Sequence, residues 1–232
     1  MLFLARHGEG YHNVAEAYYG TPMWNCYWAE QYGNGTITWV VLKFTVFLLQ
    51  GPDALLTLKG IKQALLANAG WKVQLNASIP LPQKFLSSPL SRAASTLNLT
   101  WSDITFPFTK PMFMENLRES IGLHTCDRRR TKQYLQNTYP DFTFENGFRE
   151  EDELWGPVYE ETFEQQIVRL RGVLDSIWKN ETSTYISITA HGGTVAAVLA
   201  NLGHRRFNLH TGGMIPVVVK GSYKVLSWVY KW

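Results

Sequence analysis

Two residues at the start of the chain have the makings of phosphoryl chemistry: Arg6 and His7, a guanidinium beside an imidazole, followed by Gly8 and Gly10. The apolar run that ends at Ala5 delivers the pair to the end of a strand, and the glycines permit a tight turn that an anion can approach closely. Taken alone, an Arg-His pair is more often a solvated strand end, but the glycines weaken that reading. Asn13 stands six residues beyond His7, and Tyr11 and His12 are expected in the loop between. The same design recurs late in the chain, where the strand Tyr185–Ala190 runs into His191-Gly192-Gly193. Ligands in open parallel α/β sheets bind outside the carboxyl ends of the strands, so the two histidines are expected to face one pocket. Arg92 falls in the first turn of a helix, where backbone N–H groups and the helix dipole favour an anion. On its own it reads better as an exposed helix arginine. Glu119 sits at a strand-to-loop boundary, suited to a general acid if burial or a nearby anion holds its proton near neutral pH, and otherwise an ordinary surface glutamate.

These residues need a scaffold, and the hydrophobic pattern supplies one. Residues 2–6 read as a central parallel strand covered on both faces. A helix is expected at 14–19, then a loop rich in Tyr, Trp, Asn and Gly to residue 36, either a substrate wall or a packed surface loop. Residues 37–49 carry one charge and a β-branched and aromatic bias that reads as a buried strand, too short to span a membrane. An amphipathic crossover helix spans 61–69 and is expected to end at Gly70. Residues 82–97 give a strand, a Ser/Pro turn and a helix. Thr162 to Gln165 form a capping box opening a helix whose Phe163, Ile167, Leu170, Leu174 and Ile177 share a core face. Another apolar helix runs from Val195 to Leu202. The charge runs at 127–130 and 150–153 read as solvated faces, with one arginine reaching an anionic tail as the minority reading. Residues 131–158, rich in aromatics, read as a cap rather than a repeating sheet–helix unit.

At 232 residues, 45% hydrophobic and 18% charged, the chain is most simply one globular domain. A net charge of +3 does not by itself suggest nucleic acid, and a small anionic substrate is expected instead. Cys26 and Cys126 read as reduced thiols of a cytoplasmic protein, no hydrophobic leader preceding the first strand. Asn-x-Ser/Thr sequons at Asn34, Asn76, Asn98 and Asn180 would matter only in a secreted chain. His12, His124, His204 and His210 show no metal-ligand spacing, and no metal or other cofactor is expected.

Arg6-His7-Gly8-Glu9 with Asn13, Ser88-Pro89-Leu90-Ser91-Arg92-Ala93, Glu119 and Ala190-His191-Gly192-Gly193 together resemble the histidine phosphatase superfamily, the phosphoglycerate-mutase-like fold, over nearly the whole chain. The stretches 117–129 and 211–217 look most like its fungal and plant phosphomutase-like branch. The resemblance implies an α/β three-layer sandwich, with a mostly parallel central sheet, helices on both faces and a small cap around 103–160. It implies that His7 attacks phosphorus to form a phosphohistidine, that Arg6, Asn13, Arg92, His191 and Gly192 surround the phosphate, and that Glu119 is the acid/base, with no metal. A phosphomonoester hydrolase acting on a small phosphorylated metabolite is favoured over a phosphomutase; a phospho-ligand binding module without turnover is a further alternative. Neither nucleic acid nor membrane is an expected partner, the oligomeric state stays open, and the cytoplasm is the expected compartment, with the nucleus also open. Relatives pass from the loop after Asn13 to the Leu-Thr-x-x-Gly helix start through a short polar connection. The apolar run at 40–50 is therefore either a real insertion, as an edge strand or partner-binding flap, or a non-native one from a gene-model artefact.

Overall fold

In the computed structural model, residues 1–33, 52–105 and 109–221 are described; the run at 37–49, and with it the insertion at 40–50, lies outside them. The apolar opening forms strand β1 (Leu2–Arg6), whose first four residues are buried. It pairs in parallel with β5 (Ile186–Ala190), Leu4 opposite Ile188 and Arg6 opposite Ala190. On the far side of β5 lies β2 (Lys84–Ser87), also parallel, followed by β3 (Met112–Phe113) and β4 (Thr143–Phe144). At the opposite edge β6 (Met214–Val217) runs antiparallel to β1. The six-stranded order is β4-β3-β2-β5-β1-β6, a mostly parallel α/β sheet.

Side chains alternate across such a sheet, and the alternation builds a core on each face. Leu2, Leu4, Leu86, Ile186 and Ile188 meet α6 (Phe163–Asn180) and α7 (Gly192–Asn201) through Leu170, Leu174, Val195 and Val198. Phe3, Phe85 and Phe113 meet α3 (Leu58–Asn76) and α4 (Ser91–Thr105) through Trp71, Leu97 and Trp101. The remaining helices are α1 (Tyr11–Tyr19), α2 (Thr21–Cys26) and α5 (Lys132–Thr138). The capping box at Thr162 and Gln165 opens α6 as its sequence predicts.

Several local expectations give way to tertiary packing. Gly70 does not end its helix: α3 continues to Asn76, because Trp71 lies buried against Phe3 and Trp101, with ring centroids 5.0 and 4.5 Å away. Burying an indole is worth more than the roughly 1 kcal/mol that a helical glycine costs. Tyr11 and His12 are not in a loop but open α1, where the Asn13 side chain accepts from the Gly10 N–H and closes the first turn. The loop expected after residue 19 holds α2 and a 3-10 turn, Trp28–Glu30, anchored by buried Trp24 and Ala29. Within 131–158, α5 links β3 to a parallel β4, so this stretch does contribute a sheet–helix–sheet unit. The charge runs are not simply solvated. Asp127 and Arg129 are buried, and the Asp152 carboxylate pairs with the fully buried Arg118, whereas Arg128, Glu151 and Glu153 are exposed.

Candidate functional site

The carboxyl ends of β1, β2 and β5 converge, and the polar residues just beyond them are buried. His7 follows β1, Ser88 and Arg92 follow β2, and His191 follows β5 as the N-cap of α7. The His7 and His191 rings lie 5.1 Å apart. His7 Nδ1 is 2.6 Å from the carbonyl oxygen of Gly8, and because a carbonyl only accepts, Nδ1 carries the proton. Nε2 then holds a lone pair, and Arg92 Nε–H donates to it at 3.4 Å. Burial, then the Arg92 charge, push His7 well below its ordinary pKa, and the same two causes hold His191 low. His191 Nε2 shares a 2.7 Å hydrogen bond with Ser88 Oγ, while its Nδ1 is buried without a partner.

Arg92 is fixed from two sides. One Nη donates to the Cys126 carbonyl at 2.7 Å and the other to the Asp127 carboxylate. Burial is the largest single influence and opposes its charge, but Asp127, Cys126 and Asp53 together raise its pKa, so the group stays cationic. Arg6, half-buried, donates to the Leu209 carbonyl at 2.9 Å and keeps Nε unpartnered. A Cβ placed on Gly192 would lie 3.3 Å from the Arg6 guanidinium carbon, so a glycine here lets the guanidinium lie close against the start of α7. Glu119 follows a 3-10 turn, Glu115–Leu117, rather than a strand directly. Its carboxylate accepts from Gly193 N–H at 3.1 Å and from Gln166 Nε2 at 3.2 Å. Burial, then the Asp127 charge, raise its pKa against those two donors.

The expected residues His7, Arg92 and His191 are therefore in mutual contact or near it, with Arg6 and Gly192 adjoining one another and Glu119 held at Gly193. Asn13 Oδ1 is engaged by the Gly10 N–H, which leaves its Nδ2 as the group to face a ligand, and with Arg6 it borders a neighbouring cavity of about 480 Å³. Three contributors escape a reading by motif. His12 is buried with its ring centroid 5.5 Å from that of His7. Asp53, fully buried, accepts from the Ser91 N–H and hydroxyl at the start of α4. Asp127, inside a run that looked solvated, is the partner of Arg92. None has a motif of its own; Pro52 beside Asp53 is the one local hint of a turn in the sequence. Ligand atoms of His124, Cys126 and Asp127 lie within 4.8 Å of one another, a possible cation set, but Asp127 is already committed to Arg92. Cys26 and Cys126 are both free thiols.

The family model described as "Histidine phosphatase superfamily (branch 1)" matches residues 38–227, and the chain belongs to that superfamily. The matched span contains Arg92, Glu119 and His191, while Arg6, His7 and Asn13 precede it. A protein of Arthroderma benhamiae named "Probable phosphoglycerate mutase" is 44% identical over 223 residues, covering 95% of this chain and 63% of the relative. "Phosphomutase-like protein 3" of Candida albicans is 36% identical over 220 residues, covering 94% of this chain and 65% of its own length. The chain thus spans less than two thirds of both relatives. Among solved structures, the ecdysone phosphate phosphatase of Bombix mori in complex with tungstate aligns with a TM-score of 0.54 at 15% identity, over 98% of this chain and 97% of that one. At that identity the likeness shows the fold. No helix among the described residues is long and apolar enough to cross a membrane.

Proposed function

We propose that the chain is a phosphomonoester hydrolase that works through a phosphohistidine on His7. The observation that carries this reading is the orientation of His7: Nδ1–H is tied to the Gly8 carbonyl, and the unprotonated Nε2 faces Arg92. A neutral imidazole with a fixed tautomer beside a guanidinium is a nucleophile aimed at an anionic electrophile. In the first step Nε2 forms a bond to phosphorus as the ester P–O bond breaks, and Glu119 gives its proton to the departing alkoxide. In the second, Glu119 takes a proton from water as the water oxygen attacks phosphorus, releasing inorganic phosphate and restoring His7.

Arg6 and Arg92 would bind the phosphoryl oxygens, where negative charge is spread in the transition state. If the Ser88 hydroxyl donates to His191 Nε2, the buried Nδ1 of His191 carries a proton and offers it to the same oxygens. The backbone N–H of Gly192 and the amide of Asn13 complete the cradle. The substrate on this reading is a small phosphorylated metabolite, and residues 1–232 act as one catalytic domain.

The test is a panel of phosphomonoesters assayed for phosphate release and for transfer to a second alcohol, with His7→Ala beside the parent. We expect acid-labile, base-stable labelling of the parent by a ³²P-ester, and a loss of release of at least about 10³-fold in the variant. Equal release by variant and parent would sink the nucleophile assignment. Transfer without release would favour a mutase, and ligand binding without turnover a binding module.

A further inference from the structure

We infer that the alcohol carried by the phosphate is a hydroxyl-bearing, non-anionic one, such as a polyol, and that the cavity beside Arg6 receives it. This rests on the phosphatase reading and extends it to the other end of the substrate. The cavity, about 480 Å³, is large enough for a small polyol, and Arg6 and Asn13 of the phosphate cradle border it. Its other polar lining is Glu9, Glu16, Thr21 and Thr211. Among the described residues Arg6 is the one cation in that lining, and the phosphate claims it.

What faces the remainder of the substrate is therefore rich in acceptors. Glu16 accepts from the Thr21 hydroxyl at 3.0 Å and is close enough to Arg6 for its charge to act on the guanidinium. Glu9 is bonded by Lys59 Nζ at 2.7 Å and by the Thr57 hydroxyl at 2.9 Å, which lock its carboxylate in place. Thr211 Oγ1 accepts from Gln63 Nε2 at 3.0 Å, so its own hydroxyl proton is available to a ligand oxygen. Hydroxyl groups can donate to these carboxylates and accept from Thr211. Lys59 offsets the charge of Glu9, so a carboxylate or second phosphate placed there would meet the like charge of Glu16, which discriminates by repulsion as well as by lost hydrogen bonds.

Glycerol 3-phosphate and 3-phosphoglycerate make a matched pair for the test, since a CH₂OH in one stands where the other has a carboxylate. Their affinities are measured by calorimetric titration on the His7→Ala protein, with inorganic phosphate as the reference for the cradle. Because this comparison reads binding alone, absence of turnover in the parent sinks the phosphatase reading and leaves the specificity result standing. We expect glycerol 3-phosphate to bind about tenfold more tightly, and Glu16→Gln in the same background to shrink that ratio by about fivefold, as removal of one partly screened charge predicts. Equal or tighter binding of 3-phosphoglycerate overturns the inference. So does a ratio that Glu16→Gln leaves unchanged, or glycerol 3-phosphate binding no more tightly than inorganic phosphate.

Discussion

The carboxylate of Asp53 accepts both the backbone N–H and the hydroxyl of Ser91, the residue immediately before Arg92. Asp53 lies far from α4 in sequence, yet it supplies the acceptor that the first turn of that helix requires. Its own N–H is bonded to the Thr125 carbonyl, one residue from the Cys126 carbonyl that holds Arg92 on its other side. Asp53 takes a positive φ of 77°, a conformation costly for a non-glycine residue, so the surrounding bonds must hold it there.

Burial raises the Asp53 pKa to about 6, against the opposing pull of the Ser91 bonds and the Arg92 charge. A carboxyl whose pKa is higher folded than unfolded favours the folded state below the unfolded value, and that advantage is lost as pH rises through the folded one. From the ordinary aspartate value of 3.8 to about 6, the change is on the order of 3 kcal/mol. Asp53→Asn cannot titrate. We expect the stability difference between variant and parent to move in the variant's favour by up to about 3 kcal/mol between pH 4 and pH 7. Urea unfolding at several pH values measures it, and a difference that stays constant with pH would contradict the assignment.

Asp127 is the second support of Arg92, and both groups are buried. Removing one member of a buried pair leaves an uncompensated charge, which costs about 3–5 kcal/mol. Asp127→Ala should therefore lower stability by about that much, read by denaturant unfolding, and raise KM for a phosphate ester more than it lowers kcat. A variant as stable as the parent would show that the Cys126 carbonyl alone satisfies the guanidinium.

The parts of this arrangement that were legible in the sequence are those in which chemistry follows a strand directly. His7 and His191 stand directly after short strands rich in apolar residues, and β1 and β5 deliver them together because the strands pair in register, Arg6 beside Ala190. Arg92 and Glu119 were legible only with the family resemblance, since a helix arginine and a loop glutamate have no local mark of burial. Asp127, Arg129 and Asp152 were misread because charge runs look alike whether solvated or paired. Their pairing depends on Arg92, Arg118 and Glu115 arriving from other parts of the chain. Strand β6 was missed for a related reason: Pro216 speaks against a strand, but an edge strand tolerates it.

His7, His12 and His191 share a field created by burial and by Arg92, and all three are pushed well below the ordinary histidine pKa. In each case the folded pKa is lowered, so the neutral ring is retained as pH falls through about 6.5. Proton NMR of the carbon-bound imidazole protons should show these three rings still neutral below the ordinary histidine pKa of about 6.5. Single-turnover phosphorylation of His7 should likewise keep its rate below pH 6.5, where an ordinary histidine would lose its nucleophilic form. A His7 resonance titrating at its ordinary value would remove the argument for a pre-set nucleophile.

Burial, then Asp127, raise the Glu119 pKa above the usual carboxylate range, while the Gly193 N–H and Gln166 amide fix its direction. If it protonates the leaving alkoxide, its loss should matter in proportion to how badly the leaving group needs a proton. Glu119→Gln keeps the shape and removes the proton, and for alkyl phosphates it should reduce the rate of His7 phosphorylation by about 10²–10⁴-fold. For p-nitrophenyl phosphate, whose leaving group departs readily as the anion, the reduction should stay within about tenfold. In the parent, the alkyl reaction should slow as pH rises through the raised pKa of Glu119, because the proton it donates is gone. The variant should lack that alkaline limb. A loss of equal size for alkyl and aryl esters would mean that Glu119 shapes the pocket instead of supplying the proton.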